Sequence, residues 1–232
     1  YVSLKIYGNM PAVMAMVGVF LFVSVLSLFP MLAGYLQAHA NKLGRSCRLL
    51  LLIPAVWTVA EVLRGFVLTG FPWLNIGYSQ TDGPLAGFAP LGGVVLTSFT
   101  TALIAGGLTL AYARRNLWPP LLIGLAVLLA VSFTAKHTPW TEPAGQEFTA
   151  AAVQGNVSLE RKWQASYRQE TLENYLELSS TTNASLVVWP ETAVAFYVHE
   201  FSEPMWEALS QPNQTLVFGA LEARYNPAQE DQ

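Results

Sequence analysis

Residues 6–38 contain no Asp, Glu, Lys or Arg, and residues 83–113 repeat the pattern. Runs of this kind leave a chain few choices. A helix that crosses a bilayer needs about 20 predominantly apolar residues, whereas a helix of a soluble domain needs a polar face at helical spacing. Two further stretches qualify: Leu49 to Leu68, with Glu61 and Arg64 near one end, and Leu117 to about Thr134. The reading is a transmembrane region over residues 1–134, with spans near 11–36, 49–68, 92–112 and 117–134.

Composition supports this reading. Only 12% of the residues are charged and 53% are hydrophobic, where a soluble domain carries about 25% charged residues. The charge is also uneven: residues 1–146 hold eight Lys/Arg and three Asp/Glu, residues 147–232 four and twelve. A mildly basic, apolar part thus precedes an acidic, polar one. Neither has the clustered basic face of a nucleic-acid binder, so no nucleic acid is expected as a partner. The lone Cys47 excludes an intramolecular disulfide, and His39, His137 and His199 lack metal-ligand spacing, so no metal is expected. The opening YVSLKIYGNM has no charged n-region followed by a cleavage site and does not read as a signal peptide.

Orientation follows from the short loops. Lys42, Arg45 and Arg48 follow the first span, and Arg114 and Arg115 follow the third. Loops rich in Lys and Arg stay in the cytoplasm. That assigns residues 1–10, the loop 69–91 and everything after 135 to the other side, and Cys47 to the cytoplasmic side. Glu61 and Arg64, three apart on one helix face, are expected to form an ion pair near the interface, or to line a polar cavity. The segment Gly70 to Pro84 (GFPWLNIGYSQTDGP) carries Phe71, Trp73 and Tyr78 among turn formers. It reads as an aromatic interface belt or as a lipid-facing rim.

Residues 135–147 form a Pro-containing linker, after which the period changes. Phe148 to Gln154 and Ser185 to Trp189 read as strands, 161–180 as an amphipathic helix with Trp163, Tyr167, Thr171, Tyr175 and Leu176 on one face, 203–210 as a short helix and Thr215 to Glu222 as a strand. Strand, helix, strand, helix, strand is an α/β pattern. Residues 148–232, about half the size of a typical domain, are the front part of one. At Trp189-Pro190-Glu191 three apolar residues run into a carboxylate. Proline ends the ladder there, and open α/β sheets bind ligands at the carboxyl ends of strands. A partly desolvated carboxylate at that edge, beside an indole, suits a general base. Taken alone, the tripeptide also fits a surface turn. Glu200 and Glu203, a few residues on, are expected to be exposed.

Together LRGFVLTGFPWLNIGYSQTDGPLAGFAPLGG (63–93), VQGN (153–156), Lys162-Trp163 and VVWPET (187–192) resemble the apolipoprotein N-acyltransferases, membrane members of the nitrilase superfamily. The resemblance covers the chain from about residue 10. It implies a multi-pass helical membrane region followed by a partial α/β nitrilase-like sandwich, in the bacterial inner membrane with the catalytic domain on the periplasmic side. It also implies an activity: transfer of a fatty acyl chain from a phospholipid donor to the N-terminal diacylglyceryl-cysteine of an apolipoprotein acceptor, with membrane lipids as surroundings and no cofactor. The family works through a Glu–Lys–Cys triad. Here the resemblance assigns Glu191 as proton acceptor and finds no match for the lysine or the cysteine, since Lys162 precedes the strand and Cys47 lies in a cytoplasmic loop. Trp163 is implied to line the acyl pocket, with Phe71, Trp73 and Tyr78 as further substrate-binding candidates. A membrane-tethered nitrilase-like amidase and a non-catalytic membrane module are the alternatives.

Overall fold

The structure, a computed structural model, describes residues 1–40, 42–210 and 213–223. It divides into two compact units, Tyr1–Glu142 and Pro143–Gln232.

In the first unit, four helices long and apolar enough to cross a membrane occur among the described residues. They are α1 (Ala12–His39), α2 (Arg45–Arg64), α3 (Ala89–Ala113) and α4 (Trp118–His137). Prolines open α3 and α4, where a missing N–H costs nothing. Inside α2 the same residue has a different effect. Pro54 cannot donate to residue 50, and the helix passes through a π-turn at Arg48–Leu52 just before it. α2 ends at Arg64, short of Leu68, because Gly65 caps it and Leu68, Thr69 and Gly70 all take positive φ. α3 is interrupted near its start, where Gly92 and Gly93 leave helical geometry.

Lipid cannot drive helices together by the hydrophobic effect, so close packing of small residues has to do it. Most buried helix positions are accordingly small, among them Ala15, Ala33, Thr58, Ala60, Ser98, Thr100, Ala102, Gly106, Ser132 and Ala135, with Pro54, Glu61 and Leu110 as the larger exceptions. At Gly106 the backbone of Leu49 comes so close that a Cβ would collide with its carbonyl. The large apolar side chains of α1, among them Phe20, Leu21 and Met31, face outward and are exposed, as a lipid-facing surface requires.

The segment between α2 and α3 is not a free belt. It folds back onto the bundle. Gly77 donates its N–H to Ser98 Oγ of α3 at 2.9 Å, and Gly87 donates to Ser132 Oγ of α4 at 3.1 Å. Both positions must be glycine, because a Cβ would collide with the Val94 carbonyl at Gly77 and the Ser132 carbonyl at Gly87. Leu85 and Phe88 are buried beside these contacts.

The second unit is a three-stranded parallel sheet in the order β1 (Ala150–Ala152), β2 (Leu186–Val188), β3 (Thr215–Val217). Helix α5 (Arg168–Ser180) joins β1 to β2, and α6 (Glu203–Leu209) precedes β3. Ala151, Val187 and Leu216 are register partners. With Val153, Trp189 and Phe218 they form one face, packed on Leu172, Tyr175 and Leu209. The expected helix 161–180 breaks in two: a turn at Leu159–Lys162 ends at Trp163, Gln164 is extended (ψ 125°), and α5 begins at Arg168. Its buried side is therefore Thr171, Leu172, Tyr175 and Ser179, and Trp163 is exposed.

Candidate functional site

Three parallel strands end at the same edge, and three of the motifs singled out in the sequence, VQGN, Lys162-Trp163 and VVWPET, meet there. β1 runs into Val153–Asn156, β2 into Trp189–Glu191 and β3 into Phe218–Gly219. In the first loop, Gly155 is required because a Cβ would meet the Tyr175 ring at 2.5 Å. Asn156 takes φ 49°, a left-handed conformation Asn tolerates better than most residues. Asn174 Nδ2 donates to the Gly155 carbonyl at 3.1 Å and fixes the loop to α5.

In the second loop Trp189 is an anchor. It is buried, its Nε1 donates to Ser179 Oγ at 2.8 Å, and its ring stacks on Tyr175 with centroids 5.0 Å apart. The indole is thus committed to the core. Glu191, two residues on, is exposed. The expectation of a partly desolvated carboxylate is not met: β2 ends at Val188, the chain leaves the ladder at Pro190, and Glu191 lies in the turn that follows.

The backbone around Glu191 is nonetheless tightly held. Lys162 Nζ donates to the Glu191 carbonyl at 3.1 Å and lies over the Trp163 ring, 5.8 Å from its centroid. Thr192 takes φ 50°, a strained conformation for a β-branched residue. Gly219 closes against it, since a Cβ there would lie 2.7 Å from Thr192 N. Ala193, Val194 and Ala195, all buried, tie down the far side. Gly219, Ser179 and Asn174 were missed by sequence reasoning, and Thr192 entered it as the last residue of VVWPET without a role of its own. Of the three missed, only Gly219 left a signal, a glycine ending a strand, which often marks close backbone approach.

Glu200 and Glu203 are both exposed, as expected. Glu200 is nonetheless partnered, accepting from Tyr197 N at 2.7 Å and pairing with Arg168 at 3.8 Å, and Glu203 lies at the start of α6.

The remaining site residues lie in the membrane unit. Phe71 is half-buried, edge-on to Phe22 of α1 at 5.2 Å and 5.2 Å from Trp73. Trp73 and Tyr78 are exposed, as are Phe66, Leu68 and Leu74 around them. Glu61 and Arg64 form no ion pair. Glu61, buried, accepts at Oε1 from Trp57 Nε1 (3.0 Å) and Ile76 N (2.8 Å), and Arg64 Nη2 donates to Asn75 Oδ1 at 2.6 Å. Both hold the folded-back segment. Cys47 is a free, exposed cysteine at the bundle end that carries the basic loops.

Four apolar antiparallel helices followed by a partial parallel α/β layer define a polytopic membrane protein with a partial nitrilase-like domain attached. Residues 1–107 match the model of the apolipoprotein N-acyltransferase N-terminal domain. The chain is 39% identical over 230 residues to the apolipoprotein N-acyltransferase of Ralstonia nicotianae, an alignment covering 96% of this chain and 44% of that protein. It is 39% identical over 206 residues to that of Methylococcus capsulatus (88% and 41%) and 41% identical over 199 residues to that of Pseudomonas putida (84% and 39%). The chain belongs to the apolipoprotein N-acyltransferase family and spans less than half the length of these relatives.

Proposed function

We propose that this chain is the front part of an enzyme that transfers a fatty acyl chain from a phospholipid to the α-amino group of a diacylglyceryl-cysteine at an apolipoprotein N-terminus. The names of the relatives support the reaction class. The residue-level reading rests on one observation: Glu191 leaves the carboxyl edge of three parallel strands on a loop gripped by Lys162 and Gly219.

In this reading Glu191 takes the proton of a cysteine thiol, and the thiolate attacks the phospholipid ester carbonyl. The lysophospholipid leaves as an alcohol, carrying the proton back from Glu191. The α-amine of the acceptor then attacks the thioester, its proton passes through Glu191, and the thiol is restored. The cysteine, and a lysine that stabilises the oxyanion, belong to the part of the family pattern beyond the residues matched here. Trp163, exposed next to Lys162, lines the acyl pocket. Phe71, Trp73 and Tyr78 guide acyl chains, a role that favours a lipid substrate over a small amide because the segment around them is apolar and exposed. The basic loops face the cytoplasm, and the α/β domain lies on the periplasmic side of the inner membrane.

Glu191→Gln in the intact protein tests the assignment, because it keeps shape and removes the proton acceptor. Positioned acid–base groups contribute about 10²- to 10⁴-fold in rate, so acyl-cysteine formation from phospholipid should fall by that order, with Glu203→Gln near wild type. Full activity in Glu191→Gln would refute the role.

A further inference from the structure

The membrane unit carries a cavity that the proposed reaction does not use. It is a groove of about 440 Å³ between α3 and α4, walled by Leu50 of α2, Ile104, Ala111, Trp118, Leu121 and Leu128. That volume lies in the roughly 300–1,000 Å³ range of small-ligand sites. The groove occupies the second half of α3 and the first half of α4, so it lies at the bundle end that carries the basic loops.

Its chemistry is divided along its length. The walls are apolar, and the end is cationic. Arg114 and Arg115, both exposed, sit between the wall residues Ala111 and Trp118. Arg48, two residues from the wall residue Leu50, has a buried Nε with no hydrogen-bond partner. A guanidinium nitrogen held out of water without an acceptor is costly, and no Asp or Glu lies within ten residues of Arg48 or of this Arg pair in the sequence to neutralise them. An acyl chain matches the walls, and a phosphate matches the end. Basic pockets between transmembrane helices bind anionic lipid headgroups in this way.

We propose that this groove is a binding site for one anionic phospholipid drawn from the leaflet on the side of the basic loops. An acyl chain lies between α3 and α4, and the phosphate accepts hydrogen bonds from Arg48 and the Arg114–Arg115 pair. The site lies apart from Glu191 in the chain, and its occupancy is independent of acyl transfer.

Native mass spectrometry of the intact protein, incubated in detergent with phosphatidylglycerol or phosphatidylcholine of identical chains, tests this. One phosphatidylglycerol should be retained, at least tenfold more tightly than phosphatidylcholine. Two sets of variants separate groove from headgroup. At Gly124 a Cβ meets nothing within 4 Å, and at Gly107 only ordinary contacts with Leu121 and Leu50. Gly107→Leu with Gly124→Leu should therefore fill the groove without disrupting the helices and abolish retention of both lipids. Arg48→Gln, Arg114→Gln and Arg115→Gln together should reduce phosphatidylglycerol to the phosphatidylcholine level. Equal retention of the two lipids by the unaltered protein would overturn the proposal. So would absence of any retained lipid, as when another helix of the intact protein fills the groove, or undiminished phosphatidylglycerol binding in the filled variant.

Discussion

Replacing Glu61 separates two accounts of a buried charge in the membrane. If Glu61 and Arg64 were an ion pair, loss of the negative charge alone would strand the guanidinium, and Glu61→Gln would be as harmful as Glu61→Leu. The geometry gives a different expectation. Oε1 accepts from Trp57 Nε1 and Ile76 N, Oε2 is buried without a partner, and Arg64 is satisfied through Asn75. Glutamine keeps an acceptor where Oε1 lies. Leucine leaves two donors unpaired, each worth about 1–3 kcal/mol, or roughly 2–6 kcal/mol together. Removing a desolvated carboxylate returns part of this, so a net loss of about 2–4 kcal/mol is expected for Leu and about 1 kcal/mol or less for Gln. Thermal unfolding in detergent measures the difference, and hydrogen exchange at Ile76 shows whether the folded-back segment has come loose. Equal destabilisation by Gln and Leu would refute the backbone-clamp account, as would a Leu variant that melts like wild type with Ile76 still protected.

The same segment yields two more expectations. Gly87→Val should destabilise the membrane unit by about 3 kcal/mol or more, the range for strain at a packed site, because the added Cβ collides with the Ser132 carbonyl; chymotrypsin susceptibility of loop 70–88, which holds Phe71, Trp73 and Tyr78, reads this out in proteoliposomes, with Gly34→Val, where a Cβ meets nothing within 4 Å, as the harmless comparison. Phe71→Ala with Trp73→Ala in the intact protein should slow thioester formation from phospholipid while membrane insertion is unchanged, and unaltered acylation kinetics would leave these rings as plain interface anchors.

The four helices were legible because a bilayer demands long uncharged runs, and length plus charge suffices to find them. Strand positions were legible because hydrophobic period changes after residue 147, although each ladder proved only three residues long. What the sequence hid were contacts across long separations. Helical spacing pointed Glu61 at Arg64, yet its partner in the loop is Ile76, 15 residues on, and spacing rules describe neighbours on one helix only. Nothing in GFPWLNIGYSQTDGP says that Gly77 and Gly87 are the docking points. At the candidate site, strand alternation alone would put Glu191 on the same face as Val187 and Trp189; the ladder ends at Val188 and a turn at Glu191 and Thr192 carries the carboxylate outward instead. The grip of Gly219 and the left-handed Thr192 depend on how β2 and β3 are juxtaposed, and no local pattern encodes that.

The sheet makes one further demand. Parallel sheets are ordinarily covered on both faces, and among the described residues only the face bearing Ala151, Val187 and Leu216 is packed. The other bears Ala150, Ala152, Leu186, Val188 and Val217, with Val188 37% and Val217 51% exposed. Such a surface belongs against a second apolar layer. In the intact protein Val217→Asp should then bury an unpaired carboxylate and cost about 3 kcal/mol or more, in the range for breaking a buried charge pair. If the face stays in water, the same change should fall within about 0.5 kcal/mol, as surface substitutions do. Thr215→Asp, on the same face at the start of β3, reports how far the cover extends along the strand. Thermal melting of the intact protein decides between the two cases, and an unshifted melting temperature for Val217→Asp would show that a half-covered parallel sheet is the finished form of this domain.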